Sequence, residues 1–284
     1  MRRPRHTGRL AALAAAALIA AAGGAAGAAP QRVVSTNLCT DQLAMMLAGE
    51  GQLHSVSYLA RDRRSSAMPD AAARYPVNHG LAEEIYMMRP DLVIAGPMTR
   101  APTLAMLRRL GIRVETFAPA ESLGDVRAHI LRMGELLGRQ DAARAMVADF
   151  DTRLAALQDE VAERPGAVLY YANGYTPGDR SLAGRILLAA GFENAAAAHG
   201  YAAGATIPLE VLAMIAPDIA VTSQTYPGAS RAEDIMDHPV VRAFRTLRAT
   251  SAMTDHDWVC GTPYVLRAIE SLAADRRALA GEGR

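Results

Sequence analysis

Apolar and polar positions along this chain alternate in short blocks, and one block is written twice. Residues 83–96 read EEIYMMRPDLVIAG and residues 210–223 read EVLAMIAPDIAVTS. Each opens on a glutamate, Glu83 or Glu210, and reaches Pro90-Asp91 or Pro217-Asp218 seven residues later. Each then runs into apolar residues, Leu92-Val93-Ile94-Ala95 or Ile219-Ala220-Val221. The pattern predicts a short helix stopped before the proline, because proline lacks an N–H and disfavours the α conformation in the residue before it. The apolar run is too short for a helix and fits a strand covered on both faces. Two copies 127 residues apart predict two similar α/β lobes, with a ligand site between them.

The rest of the pattern agrees. Residues 32–36 read as a strand, and Thr40 or Asp41 can cap a helix carrying Leu43, Met45, Met46 and Leu47 before Gly49 to Gly51 end it. Residues 53–58 form a second strand, 60–70 a polar loop, 102–110 a helix with proline in its first turn, and 114–117 a strand. Strand–helix alternation at this spacing predicts a mainly parallel sheet. The middle differs. Residues 122–137 are helical, Gly138 breaks the helix, and 140–163 run without Gly or Pro, with Phe150, Leu154, Leu157 and Val161 on one face. At 1.5 Å per residue this spine would span roughly 36 Å. The α/β pattern resumes at Pro165-Gly166, with a strand over 167–172, an Asn173-Gly174 turn and a helix over 182–190. After the second repeat come a helix over 238–247, a loop over 258–264 and a last helix to about Leu279.

Arg2, Arg3, Arg5 and Arg9, an apolar stretch from Leu10 to Ala22 and small residues to Ala29 read as a cleavable secretory signal peptide over 1–28. Without those four arginines the net charge falls from +1 to −3, 26 basic residues against 29 acidic. A mildly acidic chain with no basic block is not built for nucleic acid or a membrane surface. It contains no lysine, which excludes Schiff-base chemistry and a P-loop. The two cysteines, Cys39 and Cys260, fit no zinc knuckle or CxxC pair. In an exported chain they favour a disulfide over two separate thiols.

No nucleophile elbow, HExxH or GxGxxG occurs, so no catalytic residue is assigned. No metal ligands or cofactor are assigned either; a site from His79, His199 and His256 has no support in their spacing. Binding character lies in the loops after predicted strands: Asn37 to Thr40, Tyr58 with Arg61 to Arg64, Asn173 to Thr176, Gln224-Thr225-Tyr226, and the lone Trp258 beside Cys260 and Tyr264.

The order of signal, strand with a Ser-Thr-Asn turn, Glu-x6-Pro-Asp-strand, long helix and second Glu-x6-Pro-Asp-strand resembles the periplasmic substrate-binding proteins of ABC importers for ferric siderophores, haem and cobalamin. The resemblance is strongest over 80–96 and 207–221 and spans roughly 31–279. It implies two Rossmann-like lobes with mainly parallel sheets, 29–121 and 165–284. A helical linker with one long rigid helix, 122–164, would join them, with the ligand cleft between. It implies a monomer that binds a chelate in the periplasm and hands it to a permease dimer and its ATPase. Glu83 and Glu210 would dock on the permease. Cys39, Tyr58, Arg61, Arg64 and His79 would line the cleft from one lobe, and Tyr175, Tyr201, Trp258 and Tyr264 from the other. The resemblance puts Cys39 and Cys260 near the cleft, where a disulfide would tie the lobes. A single Trp favours an iron(III) chelate, with haem and cobalamin as alternatives; a zinc- or manganese-binding relative and an exported α/β enzyme are competing readings.

Overall fold

The computed structural model describes residues 28–158, 161, 163–223, 230–244 and 255–282. The signal segment and the Gln224-Thr225-Tyr226 loop lie outside them. In the first lobe β1 (Val33–Ser35), α1 (Leu38–Leu47) and β2 (Leu53–Ser57) are followed by a 3-10 turn (Tyr58–Arg61), α2 (Pro69–Ala72) and β3 (Val77–Asn78). The first repeat becomes α3 (Ala82–Met87) and β4 (Leu92–Ala95), and α4 (Ala101–Arg109) and β5 (Arg113–Thr116) complete the lobe. The five strands are all parallel in the order β3-β2-β1-β4-β5. β1 and β4 are buried at every position; β4 is apolar throughout, and in β1 the buried Ser35 hydroxyl is bonded to Thr40.

Two expectations change here. Helix α1 starts at Leu38, and its cap is Asn37, whose side chain accepts a hydrogen bond from the Cys39 amide. Thr40 and Asp41 are buried within the helix instead, where Thr40 meets Ser35 and Asp41 accepts from Ser57. The polar stretch 60–70 is not all loop, because Pro69 opens α2 at its end.

α5 (Leu123–Leu137) and α6 (Gln140–Gln158) form an antiparallel hairpin. A Ser122–Asp125 capping box opens α5, and Gly138 ends it in the left-handed region at φ 68°. Gly134 lies so close to Ala143 that a Cβ would overlap it, and Arg127 pairs with Asp151 across the hairpin. The spine helix therefore stands beside α5. It has 19 residues, roughly 28 Å, and stops before the expected Glu163. Val161 and Glu163 to Pro165 lie outside it, consistent with the extended backbone that Pro165 imposes on its predecessor.

The second lobe runs β6 (Gly166–Leu169), a 3-10 turn (Ala172–Gly174), β7 (Tyr175–Thr176), α7 (Leu182–Ala189), β8 (Glu193–Asn194), a π turn (Ala197–Tyr201) and β9 (Ala205–Thr206). The second repeat becomes α8 (Leu209–Ile215) and β10 (Ile219–Val221). A 3-10 turn (Asp234–Asp237), α9 (Pro239–Phe244), α10 (Asp255–Trp258) and α11 (Val265–Glu282) follow. The loop expected over 258–264 thus begins at the end of a helical turn. Three parallel strands lie in the order β10-β6-β8, and β7 pairs antiparallel with β9.

The repeat holds in atomic detail. β1 pairs with β4 and β6 with β10, each first strand beside the strand that ends its lobe's repeat. The Asp91 carboxylate accepts from the amides of Gln31 and Arg32, at 2.6 and 3.0 Å. The Asp218 carboxylate accepts from the Gly166 amide at 2.7 Å. Each aspartate thus fastens the start of the neighbouring first strand. The residue before each proline, Arg89 or Ala216, takes a positive φ, 50° or 45°, which turns the chain from helix to strand.

One apolar core joins the lobes. It includes Val33, Leu43 and Leu92 from the first, Ile130 and Phe150 from the hairpin, and Leu169, Ile186, Phe192 and Ile269 from the second. α5 packs on α1, and α6 packs on α7 and α11.

Candidate functional site: a cleft at the lobe seam

Where the first lobe ends, Ala120 and Glu121 face the second lobe across a cavity of about 450 Å³. Its other wall is Tyr175, Gly178, Arg180, Ser181, Leu182 and Ala203. A second cavity of about 250 Å³ shares Ala120 and Leu182 and reaches Trp258 and Val259. Both are lined by the same seam, and the first has the size of a small-molecule pocket.

Local structure explains the wall. Ser181 caps α7 by accepting from the Gly184 amide at 3.1 Å, which fixes the turn carrying Arg180. Backbone packs on backbone behind it: a Cβ on Gly178 would overlap the Ala202 carbonyl, and one on Gly184 would overlap the Gly178 carbonyl. The far side is held by the disulfide between Cys39 and Cys260, with Cα atoms 5.0 Å apart. Cys39 lies in α1 and Cys260 precedes α11, so the bond crosses the seam as expected. Gly261 lies directly against Ala120, where a Cβ would overlap. Trp258 tilts against Tyr171 with ring centroids 5.2 Å apart, and its buried indole N–H has no partner among the described residues.

The expected ligand residues fall into separate places. Tyr175 lines the larger cavity and Trp258 the smaller. Tyr58 and His79 stack on each other at the rim of the first sheet, centroids 5.5 Å apart and planes 19° apart. Glu84 orients that His79, bonding its amide at 2.7 Å and its Nδ1 at 3.2 Å. Neither ring is among the residues lining the two cavities. Arg61 turns away and donates to the carbonyls of Ala72, Ala73 and Tyr75, closing the end of α2. Arg64 sits in the turn that Asp62 organises. Tyr201 packs on the apolar cluster around Val168 and Leu212, and Tyr264 lies under the Arg267 guanidinium at 4.2 Å. Glu83 and Glu210 are exposed on α3 and α8 and form no ion pair among the described residues.

Ala120, Glu121, Arg180, Ser181 and Ala203 were not expected in the site. The Ser181 and Ser122 caps could have flagged the turns that carry them, but the backbone wall has no side-chain signature. Among the described residues no three His, Cys, Asp or Glu side chains come together at metal-binding distance. The seam offers the Glu121 carboxylate, the Arg180 guanidinium, hydroxyls and aromatic edges around a backbone floor. That set can hydrogen-bond and stack against a partly polar small molecule.

Asp41 sits beneath the first lobe's rim. Burial pushes its carboxyl up to about 6, against the hydrogen bonds from Ser57 that favour the charged form. Its Oδ1 has no hydrogen-bond partner among the described residues.

A family model described as periplasmic binding protein matches residues 33–257. A curated relative, a cobalamin-binding protein of Halobacterium salinarum, is 30% identical over 203 residues, 68% of this chain and 54% of the relative. The match thus spans about half the length of that relative. Among solved structures, the periplasmic haem-binding protein HutB of Vibrio cholerae superimposes with a TM-score of 0.70 at 15% identity. It covers 86% of this chain and 98% of that one. The periplasmic vitamin B12-binding protein BtuF of Vibrio cholerae gives 0.59 at 18% identity, over 88% and 98% of the two chains. At these identities the structures attest the fold, two lobes about a cleft. With its two-lobe fold and a family match that begins at β1 and ends beside Trp258, this chain belongs to the periplasmic binding protein family.

Proposed function

We propose that the protein is the substrate-binding component of an ABC importer and that it captures a metal tetrapyrrole in the seam, cobalamin being the first ligand to test. One observation carries the reading: two adjoining cavities that share Ala120 and Leu182 lie between the lobes, one lined by Tyr175 and the other by Trp258, and the Cys39–Cys260 disulfide ties the two lobes together. Aromatic walls suit a flat ring, and Glu121, Ser181 and the backbone suit peripheral amides. The curated cobalamin-binding relative supports the same choice.

Haem is the second reading, favoured by Arg180 in the seam, whose guanidinium suits a carboxylate. An iron(III) siderophore is the third ligand class. The seam holds its ligand without turnover, in keeping with the binding-protein family to which the chain belongs. The protein is exported by the 1–28 signal peptide and works as a monomer, with lobes 29–121 and 165–284 around the helical linker 122–164. Glu83 and Glu210 meet basic residues of the permease, and an ATPase drives import. Isothermal titration with cyanocobalamin, haemin and a ferric hydroxamate tests the reading. One of the three should bind one-to-one, and Tyr175→Ala should weaken it about tenfold. If none binds a folded protein with its disulfide intact, the reading fails.

A further inference from the structure

The repeated helices match in exposure as well as in sequence. Reading Glu83 to Asp91 beside Glu210 to Asp218, exposed and covered positions agree almost residue for residue. Within that frame Met87 and Met214 occupy the same place, four residues after the glutamate and therefore on the same helix face. They are exposed to 77% and 81%. A single exposed apolar residue is ordinary. Here the same side chain stands free twice, beside the same unpaired acid, on two lobes that otherwise differ in sequence.

Around Met87 the surface is apolar and grooved. One groove of about 370 Å³ is lined by Glu83, Met87, Met106 and Leu110, and another of about 500 Å³ by Met87, Arg89, Pro90 and Ile112, with Tyr86 shared, so the basic partner residue is expected on the Glu83 side, away from Arg89. Among the described residues Glu83 is the only charged side chain lining the first. Methionine is polarisable and flexible and is enriched at protein interfaces, as arginine is. An acid with an apolar neighbour one turn away is complementary to a basic side chain beside an apolar one.

We propose that Met87 and Met214 are the second half of each docking point. The partner is a two-fold symmetric membrane permease whose subunits each present a basic residue next to an apolar contact. Two like docking points on one chain match two like subunits, and the grooves make the first lobe the stronger grip. The inference rests on the importer reading and adds residues that the two glutamates alone do not imply.

The test measures saturable binding of the fluorescently labelled protein to spheroplasts of the source organism lacking its own copy. Wild type should bind saturably. Met87→Ser with Met214→Ser should lower the affinity at least tenfold with thermal unfolding unchanged, and Met87→Ser alone more than Met214→Ser alone. No saturable wild-type binding would sink the importer reading itself. Wild-type binding that the double variant matches within twofold would overturn only the methionine proposal. A photo-crosslinking residue at 87 or at 214 should label the same permease polypeptide. Adducts with a second copy of this chain, or with different proteins at the two positions, would also overturn it.

Discussion

Asp41 shows how one side chain can tie the rim of the site to pH. Its carboxylate holds the Ser57 amide and hydroxyl at the end of β2, directly before Tyr58. Its folded pKa of about 6 lies above the 3.8 of a free Asp, so folding favours the protonated form. Between these values the native state holds a proton that the unfolded chain has lost, and stability falls as pH rises from about 4 to about 6. The gap corresponds to about 3 kcal/mol. Thermal unfolding across this range should show the loss in wild type, and the change with pH of the wild-type-minus-Asp41→Asn difference should be confined to that window. A wild-type-minus-variant difference that does not change with pH would contradict it. Gly96 is a second local case. A Cβ there would overlap Asn37, the cap of α1, so the crevice between β1 and β4 is filled by the chain itself. This helps to explain why the usable cavity lies at the seam instead.

At the scale of elements, the Pro-Asp unit is the working part of each lobe. Its proline ends the helix, its positive-φ residue turns the chain, and its aspartate fastens the adjacent first strand. Asp91→Ala and Asp218→Ala should each cost about 1–3 kcal/mol in denaturant melts, because each strands backbone donors that the carboxylate now accepts from. A loss below 0.5 kcal/mol in both would show that water replaces the carboxylate. These elements were legible in the sequence because their signals are local: proline, a buried apolar run, a glycine after a helix. The two-residue strands β3, β7, β8 and β9 were not, since two residues carry no periodicity. The cap at Asn37 was missed because Thr40 and Asp41 have the same chemistry and the helix begins earlier than its apolar content. Trp258 stood out as the only tryptophan, and the disulfide as the only cysteine pair. The glycine-backbone wall behind Arg180 could not be read, because it exists only when distant loops meet. Arg61 looked like a ligand residue, yet its donors go to the carbonyls at the end of α2.

At the scale of the molecule, the lobes are bound three ways: a common core, the α5–α6 hairpin and the Cys39–Cys260 bond. The bond encloses a loop long enough to stabilise the fold by roughly 5 kcal/mol in the chain-entropy model. These ties all lie at or beside the seam, and they leave the repeated helices α3 and α8 exposed for a partner. The central claim is that the ligand is held in the seam beside Trp258. Because Trp258 is the only tryptophan, its emission reports that place alone. Titration with cyanocobalamin, or with haemin if that is what binds, should quench it saturably with the midpoint found by calorimetry. Calorimetric binding that leaves Trp258 emission unchanged would put the ligand elsewhere and contradict the account.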